Sequence, residues 1–470
     1  MKIQAHKFVK SFSYTFFANL LSISVSLILI LIVPKVMNLE DYGYWQLYIF
    51  YASYISYMSL GLTDGAYLRY GGYEYKELNK SVFISQYWFL VAFDIIVNLS
   101  IVYICYLFAI SEEKLVVVIM TCISGVIVVP RSLLTFMLQA TGKIKQFAIV
   151  TILERLIYFG ITILLIIIGV REFEYLIYAD ILGKLCSAIY LFFVCKDLVF
   201  GRFASLKASL EEIIINIKVG SKLLIANLAS LLVVGLVRFY IERNWNIETF
   251  GKVGLTLSIS NMFMLFINSI SVILFPALRR TAPNKLPNIY NSVRSLLMVC
   301  LLGMLVLYYP LSIIFNIWIP QYKDSFVYMG ILFPIFVYES KMSLLINTYF
   351  KTLRKELELL VINLTTVIVG GILTAISVFV LDDLKLTLLV LVLLLGFRAV
   401  ASEIYLMKIL NLNITKDIVL EMIITIIFLV SSWVLQGFLG FIIYAFTYFT
   451  YLLIKKEVTK TIIINIKKMI

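Results

Sequence analysis

The chain has 470 residues, of which 62% are hydrophobic and only 14% are charged. Soluble globular domains are closer to half apolar, so this composition excludes a soluble enzyme or binding domain and indicates a protein of the lipid bilayer. The single histidine, His6, excludes a metal centre built from a histidine cluster.

Long apolar runs predict fourteen transmembrane helices, because about 20 apolar residues span the hydrocarbon core of a bilayer. In chain order the predicted helices are 11–37, 44–62, 81–110, 115–137, 146–169, 173–195, 219–242, 253–276, 292–315, 325–350, 357–381, 384–407, 418–436 and 438–454. The first helix follows a lysine-containing start without a small-residue cleavage site. It is therefore expected to be retained and not to be a signal peptide.

A six-residue motif occurs twice, as Asn38–Gly43 and as Asn246–Gly251, with an offset of 208 residues (246 − 38). The register extends upstream without a gap, since Ser13 aligns with Ser221 and Ala18-Asn19-Leu20 with Ala226-Asn227-Leu228. Such a repeat predicts two halves descended from one ancestor. In membrane proteins, like halves usually face each other across a substrate path.

Basic residues alternate between the predicted loops. With the N-terminus inside, 27 of the 40 Lys and Arg residues fall in cytoplasmic segments and only 7 fall in outer segments. Cytoplasmic loops hold such an excess, which predicts an even number of helices and two cytoplasmic termini. The net charge of +13 is then explained by topology and anionic lipid, without a nucleic-acid partner.

This topology makes the repeat parallel, since helices one and seven both run from inside to outside. The predicted fold is an all-α integral membrane protein with two six-helix lobes around a central cavity and two C-terminal helices. The predicted domains are 1–195 (N-lobe), 196–218 (cytoplasmic linker), 219–410 (C-lobe) and 411–470 (helices 13 and 14 with a basic tail).

Eleven charged residues are assigned to the membrane interior of the predicted helices. The cations are Arg131, Arg155, Lys184, Arg238, Lys341 and Arg398, and the anions are Asp94, Glu154, Asp180, Glu339 and Glu403. An ionised group at a helix centre costs about 2.5–3.5 kcal/mol on the insertion scale, so such residues nearly always face a partner or a wet cavity.

Two interpretations of these charges stay open. One is a polar cavity in which the six cations bind a phosphate or pyrophosphate group, because the planar guanidinium suits such anions. The other is a set of structural pairs, of which Asp180 and Lys184, spaced i,i+4, are one. Asp94, Asp180 and Glu339 are candidates for coupling a proton or sodium gradient. No metal or organic cofactor is expected.

The motif itself favours a structural role. Glu40, Asp41 and Glu248 are expected to cap the following helices, with Gly43 or Gly251 at a tight corner. Gly61 and Gly65 are spaced to let helices approach closely. Tyr42, Tyr44 and Trp45 are expected in an aromatic belt at the outer membrane interface, as is Trp318.

Four segments carry a family resemblance. They are Leu39-Glu-Asp-Tyr-Gly-Tyr-Trp-Gln-Leu47, Leu60-Gly-Leu62, Phe136-Met-Leu-Gln-Ala-Thr-Gly-Lys143 and Phe275-Pro-Ala-Leu-Arg279. They resemble the polysaccharide transporter family, the Wzx-type O-antigen and capsule-unit flippases of the multidrug/oligosaccharidyl-lipid/polysaccharide exporter (MOP) superfamily. The resemblance implies two six-helix lobes, a cavity open alternately to either side, and a polyprenyl-pyrophosphate-linked oligosaccharide as substrate.

The functional prediction is therefore a flippase of the bacterial inner membrane, not an enzyme, with a lipid-linked oligosaccharide and membrane lipid as partners and other polysaccharide-assembly proteins as candidate partners. The alternatives are a multidrug or cation exporter of the same superfamily and, from another class, a membrane glycan polymerase. A cation exporter should have a net acidic cavity, whereas the predicted one is slightly basic. A polymerase generally needs a large outer domain, and the predicted outer loops are short.

Overall fold

The computed structural model describes the backbone of residues 2–279 and 281–469. It describes their side chains except for 2–12, 15–16, 265–266, 268–273, 275–277, 279, 457–459 and 461–469. His6, Phe275 and Arg279 therefore lie outside the described side chains. The chain divides into two compact units, Met1–Leu228 (the N-unit) and Ala229–Ile470 (the C-unit).

The described residues form helices and no strands. Those that begin in the N-unit are α1 (Lys2–Val36), α2 (Leu39–Ala52), α3 (Leu62–Arg69), α4 (Lys80–Leu107), α5 (Glu112–Ala140), α6 (Ile144–Ile168), α7 (Phe173–Val194), α8 (Lys196–Val199) and α9 (Leu206–Asn244). Those of the C-unit are α10 (Ile247–Arg279), α11 (Leu286–Met304), α12 (Tyr308–Trp318), α13 (Ser325–Leu332), α14 (Ile335–Ser340), α15 (Asn347–Thr352), α16 (Glu356–Phe379), α17 (Leu384–Ile409), α18 (Thr415–Leu429) and α19 (Gly437–Met469).

Twelve helical segments of the described part are long and apolar enough to cross a membrane. The all-helical, multi-pass membrane architecture expected from the composition is thus confirmed, and fourteen is an approximate helix count. Each of the twelve overlaps one predicted helix, and most agree with its predicted bounds within a few residues. Helices α1, α9 and α19 extend well beyond their predicted bounds. The two remaining predictions are 44–62 and 253–276. The second lies within α10, many of whose side chains are outside the described set.

The predicted continuous helix 44–62 is instead three short segments. Helix α2 ends at Ala52, a 3₁₀ turn covers Ile55–Ser59, and α3 begins at Leu62. Leu60 and Gly61 have φ of 53° and 86°, in the left-handed region that a right-handed helix cannot accommodate. The apolar character of the segment predicted its burial but not this break.

Two spans contain a π-helical turn, at Lys341–Ile346 between α14 and α15 and at Val430–Leu435 after α18. A π turn shifts side chains by one position around the helix axis and often occurs at functional sites. The first of these turns begins at Lys341, one of the predicted site residues.

The repeated motif caps a helix in both copies, but not through the predicted side chains. Asn38 Oδ1 accepts a hydrogen bond from Asp41 N at 2.7 Å, and Asn246 Oδ1 accepts one from Thr249 N at 2.9 Å. The acidic residues lie in the first turns of α2 and α10, where they complement the helix dipoles. Gly43 and Gly251 lie within the helices and not at the corners.

Gly61, which precedes α3, and Gly65 within α3 allow a close helix contact within the N-unit, as their spacing predicted. A Cβ on Gly65 would lie 1.9 Å from the carbonyl oxygen of Asn216, and a Cβ on Gly220 would lie 1.9 Å from that of Gly61. Arg69 reinforces the contact by donating to Asn216 at 2.6 Å and pairing with Glu212 at 2.8 Å. The segment 206–218, predicted as part of a linker, is thus the ordered start of α9.

Three aromatic residues of α2 are buried inside the protein. Tyr42, Tyr44 and Trp45 are each less than 9% exposed, whereas Trp318 is 42% exposed. The aromatic-belt expectation is therefore wrong for the first three, since a belt residue must face the membrane interface. They are available instead to line the N-unit interior.

Candidate functional site

Helices α5, α6 and α7 meet around Arg131. Its Nη1 donates to Glu154 Oε2 in a short ion pair and to Ser187 Oγ at 2.6 Å. Both charged side chains are about one-seventh exposed. Glu154 therefore pairs with a residue of another helix and not with its neighbour Arg155, as their positions on different faces of α6 predicted.

A second ion pair continues this group along α7. Lys184 Nζ lies 2.5 Å from Asp180 Oδ2, and it also donates to Ser124 Oγ at 3.0 Å and to Tyr48 Oη at 3.2 Å. Tyr48 in turn donates to Asp180 at 2.6 Å. The two ion pairs are linked, since Ser187 Oγ donates to the carbonyl oxygen of Lys184. We call this set the N-unit polar cluster; its members are Tyr48, Ser124, Arg131, Glu154, Asp180, Lys184 and Ser187.

An aromatic wall adjoins the N-unit polar cluster. The Trp45 ring stacks against Tyr48 at 5.5 Å and against Tyr158 at 6.2 Å between ring centroids. Tyr158 comes from α6, one turn after Glu154. Flat rings beside charged groups are suited to hold a sugar face or an organic cation.

Arg155 differs from the other predicted cations. It is half-buried on α6, and the described side chains give it neither a hydrogen bond nor an ion pair. Its neighbour Glu154 already has Arg131 as a partner. Arg155 is thus the guanidinium of the predicted set that is left to meet an anion from outside the chain.

The remaining predicted cations lie in the C-unit. Arg398 is 1% exposed, and its Nη2 lies 2.5 Å from Glu339 Oε1, while Nη1 donates to Ser230 Oγ at 3.1 Å. Arg238 lies over the Phe250 ring at 4.7 Å from the ring centroid. Arg398 and Glu339, both predicted site residues, therefore neutralise each other across two spans.

Lys341 belongs to a larger network in the C-unit, which we call the six-charge network. Lys341 pairs with Glu403 and, at 3.1 Å, with Glu421. Arg294 pairs with the same two carboxylates at 2.5 and 2.7 Å. Asp417 joins from α18 and pairs with Lys455 of α19 at 2.6 Å. A small cavity next to Lys341 and Glu421 is lined also by Tyr338 and Thr425.

The six-charge network holds three cations and three anions, all of them buried except Asp417, whose side chain is 27% exposed. Arg294 and Glu403 are 1% and 0% exposed. Buried charges are tolerated where they are paired and hydrogen-bonded, so this arrangement ties α11, α17, α18 and α19 to the π turn at Lys341. Its electrostatic balance leaves no surplus charge for a ligand.

Sequence reasoning missed four of the six members of this network: Arg294, Asp417, Glu421 and Lys455. Arg294 is one of the 27 basic residues assigned to cytoplasmic segments, and Glu421 is not among the eleven charges assigned to the membrane, although both fall inside predicted helices. Lys455 was assigned to the cytoplasmic tail but is 7% exposed on α19. For Arg294 and Glu421, the available signal was their position within a predicted helix. Their partners could not be read from the sequence, because they lie on distant helices.

Asp94 lies at the middle of α4 and is fully buried. Asn98 Nδ2 donates to its Oδ1 at 3.0 Å, while Asp94 Oδ2 has no hydrogen-bond partner. The other two candidates for ion coupling, Asp180 and Glu339, are both ion-paired. Among the described residues no group of three or more His, Cys, Asp or Glu side chains could hold a metal ion.

No protein-family model matches the sequence, and no curated protein matches it. Solved structures do. A multidrug resistance MATE family transporter of the MOP superfamily, in its inward-facing conformation, is 11% identical with a TM-score of 0.63 and covers 84% of this chain and 98% of its own. The lipid II flippase MurJ, in an inward closed conformation, is 12% identical with a TM-score of 0.62 and covers 95% and 99%.

A further similar structure is a MOP superfamily transporter from Pyrococcus furiosus, 13% identical with a TM-score of 0.53 over 86% of this chain and 96% of its own. Identities this low establish the fold and not the substrate. The chain therefore has the fold of MOP superfamily transporters, over nearly its whole length. The finer resemblance to Wzx-type flippases stays a prediction.

Proposed function

We propose that the protein is a flippase that moves a polyprenyl-pyrophosphate-linked oligosaccharide, of the O-antigen or capsule type, across the bacterial inner membrane. The fold supports a transporter, and one of the similar structures is a lipid II flippase. Alternating access is part of the proposal and has its basis in the sequence repeat.

The observation that carries the proposal is Arg155 beside the N-unit polar cluster. A half-buried guanidinium with no ion partner among the described side chains is expensive in a membrane protein unless it has a ligand. Its planar fork matches the oxygens of a pyrophosphate. The wall of Trp45, Tyr48 and Tyr158 lies on the same helices and would contact the first sugars.

Arg131 and Lys184 have a supporting role in this proposal. Each already has a carboxylate partner, so binding of a phosphate there requires exchange of one anion for another. Such an exchange would release Glu154 or Asp180 when substrate arrives. Arg238, Lys341 and Arg398 stay candidates for substrate contact, but the last two are held by carboxylates of their own unit.

The test uses the full chain in liposomes that contain a polyprenyl-pyrophosphate-linked oligosaccharide. An added glycan-cleaving enzyme removes the glycan from the lipid that is in the outer leaflet. We expect Arg155→Ala to lower the rate of flipping about tenfold or more, which corresponds to the loss of a charged hydrogen bond, and Arg155→Lys to keep part of it. Lys145→Ala, an exposed residue of the same helix, is the matched control. An unchanged rate in Arg155→Ala would remove the phosphate-binding assignment.

A multidrug exporter is the second candidate, because a MATE family transporter has a similar structure and the aromatic wall lies near Asp180. Organic cations prefer an uncompensated carboxylate, whereas both carboxylates of the N-unit polar cluster have cationic partners. Efflux of an organic cation from the same liposomes, with no flipping of the glycolipid, would favour this alternative.

A gene deletion in cells separates the flippase from the polymerase alternative. Loss of a flippase leaves no surface glycan, whereas loss of a polymerase leaves single glycan units.

A further inference from the structure

Asp94 is the exception among the acidic residues predicted within the membrane. Glu154, Asp180, Glu339 and Glu403 each have a cationic partner within hydrogen-bonding distance. Asp94 is 0% exposed and has no ion pair in the described part of the chain. Its hydrogen-bonding partner is Asn98, a neutral amide one turn further along α4.

Two oxygen atoms of this pair are left without donors. Asn98 Nδ2 donates both to Asp94 Oδ1 at 3.0 Å and to the Asp94 carbonyl oxygen at 2.8 Å. Asp94 Oδ2 and Asn98 Oδ1 are buried and have no partner. Buried polar atoms are almost always hydrogen-bonded, so two buried acceptors without donors on one helical turn mark a place suited to bind a proton or another cation.

The neighbouring helix offers no charge to fill this role. Gly125 of α5 packs closely against Asn98, since a Cβ added to Gly125 would lie 2.9 Å from Asn98 Oδ1. The titratable group that α5 brings close to Asp94 is the thiol of Cys122. Helix α8 packs against the start of α4, where its Asp197 pairs with Lys80. Lys80 lies about 20 Å from Asp94 along the axis of α4. The 3₁₀ turn Ile55–Ser59 contributes no acidic or basic residue.

We propose that Asp94 binds a proton, so that it is a neutral carboxylic acid in this conformation. An ionised carboxylate isolated in a low-dielectric interior is so costly that the group takes up a proton instead. The proton adds one O–H donor to a pair of side chains that has an unused acceptor in Asn98 Oδ1. Binding converts the carboxylate and one proton into the acid, with no other bond broken.

The observations favour a proton over a metal cation. Hard cations in proteins take about six oxygen ligands, and this site offers two oxygen atoms without partners. A proton needs one oxygen. The position at the middle of α4 places this proton near the centre of the hydrocarbon layer, where release requires contact with water from either side.

Use of this proton to drive transport rests on the proposed function, whereas its binding does not. The first measurement is therefore independent of transport: infrared spectra of the full-length protein in lipid, recorded in both light and heavy water. We expect the wild type at neutral pH to show the carbonyl band of a protonated carboxylic acid and Asp94→Asn to lack it. Glu154→Gln, which alters an ion-paired carboxylate, should retain the band.

The proton site is rejected if the wild type at neutral pH shows no protonated-carboxyl band, a result that needs no variant to fold. It is also rejected if Asp94→Asn leaves the band unchanged. Replacing choline chloride by sodium chloride tests the other ligand: a rise in the unfolding temperature of the wild type and not of Asp94→Asn would assign the site to sodium.

The second measurement concerns transport in the liposome assay described above. An imposed pH gradient should raise the flipping rate of the wild type severalfold and leave Asp94→Asn at its rate without a gradient. If the wild type flips no glycolipid at all, the proposed function fails while the infrared result stands. If the gradient accelerates Asp94→Asn as much as the wild type, the proton of Asp94 does not drive transport.

Discussion

Most of the charged residues that the sequence placed in the membrane find partners on other helices. Arg131 pairs with Glu154, Lys341 with Glu403 and Arg398 with Glu339, at sequence separations of 23, 62 and 59 residues. Only the i,i+4 pair of Asp180 and Lys184 could be read from spacing alone. The sequence showed that such residues need partners, because unpaired charges are costly in lipid. It did not show which helices would supply them.

Glu403 provides a test at this scale. Substitution Glu403→Gln leaves Arg294 and Lys341 buried with one carboxylate between them, and we expect it to reduce the free energy of unfolding by about 3–5 kcal/mol. Denaturant unfolding of the purified protein in detergent measures the change. Asp324→Asn is the control, since its ion pair with Lys252 is exposed on the Asp324 side and should contribute less than about 1 kcal/mol.

A loss below about 1 kcal/mol in Glu403→Gln, the size expected of the exposed pair, would mean that the six-charge network does not hold the helices together. Lys341 would then be available for a ligand, as the sequence first suggested. The two interpretations of Lys341 therefore give opposite results in one experiment.

At the scale of helices, the apolar runs predicted where the helices lie but not where they are interrupted. Most spans were located within a few residues, because length and hydropathy determine which segments cross lipid. The break at Leu60 and Gly61 depends on backbone conformation, to which hydropathy is insensitive. The π turns at Lys341 and Val430 have no composition signal either, since the apolar pattern is continuous through them.

The contact between α3 and α9 can be tested with one methyl group. Gly65→Ala would place a Cβ 1.9 Å from a carbonyl oxygen of α9, so the helices must separate, and we expect a loss of about 1–3 kcal/mol in unfolding free energy. Gly160→Ala on α6 is the matched control, because no atom lies within 4 Å of its Cβ position. Equal stability of the two variants would show that the glycine contact is not tightly packed.

At the scale of the whole molecule, the repeat and the fold agree. The duplicated sequence predicted two lobes, the chain divides into two compact units, and solved structures with the MOP transporter fold cover 84–95% of the chain. The distribution of Lys and Arg predicted the orientation. Burial of Arg294 and Lys455 removes two residues from the cytoplasmic count, which leaves 25 (27 − 2) against 7 outer residues and keeps the bias.

Orientation is measurable with single cysteines in a chain whose five native cysteines are replaced. We expect Glu112→Cys, in a predicted outer loop, to react with a membrane-impermeant maleimide in intact cells. Lys145→Cys, in a predicted inner loop, should react only after permeabilisation. Both positions are exposed, so access depends on the side of the membrane. Reversed labelling would place both termini outside the cytoplasm.

The asparagine caps have a consequence for recognising relatives of this chain. Asn38 and Asn246 each cap the helix that follows them. Their capping hydrogen bonds are to the backbone of Asp41 and Thr249, not to the charged residues proposed to bind substrate. Natural selection can therefore preserve the six-residue motif in any descendant that needs this helix cap, whatever substrate the descendant transports. A sequence search with the motif would find proteins that share the fold. Grouping those proteins by substrate would require comparing the residues around Arg155.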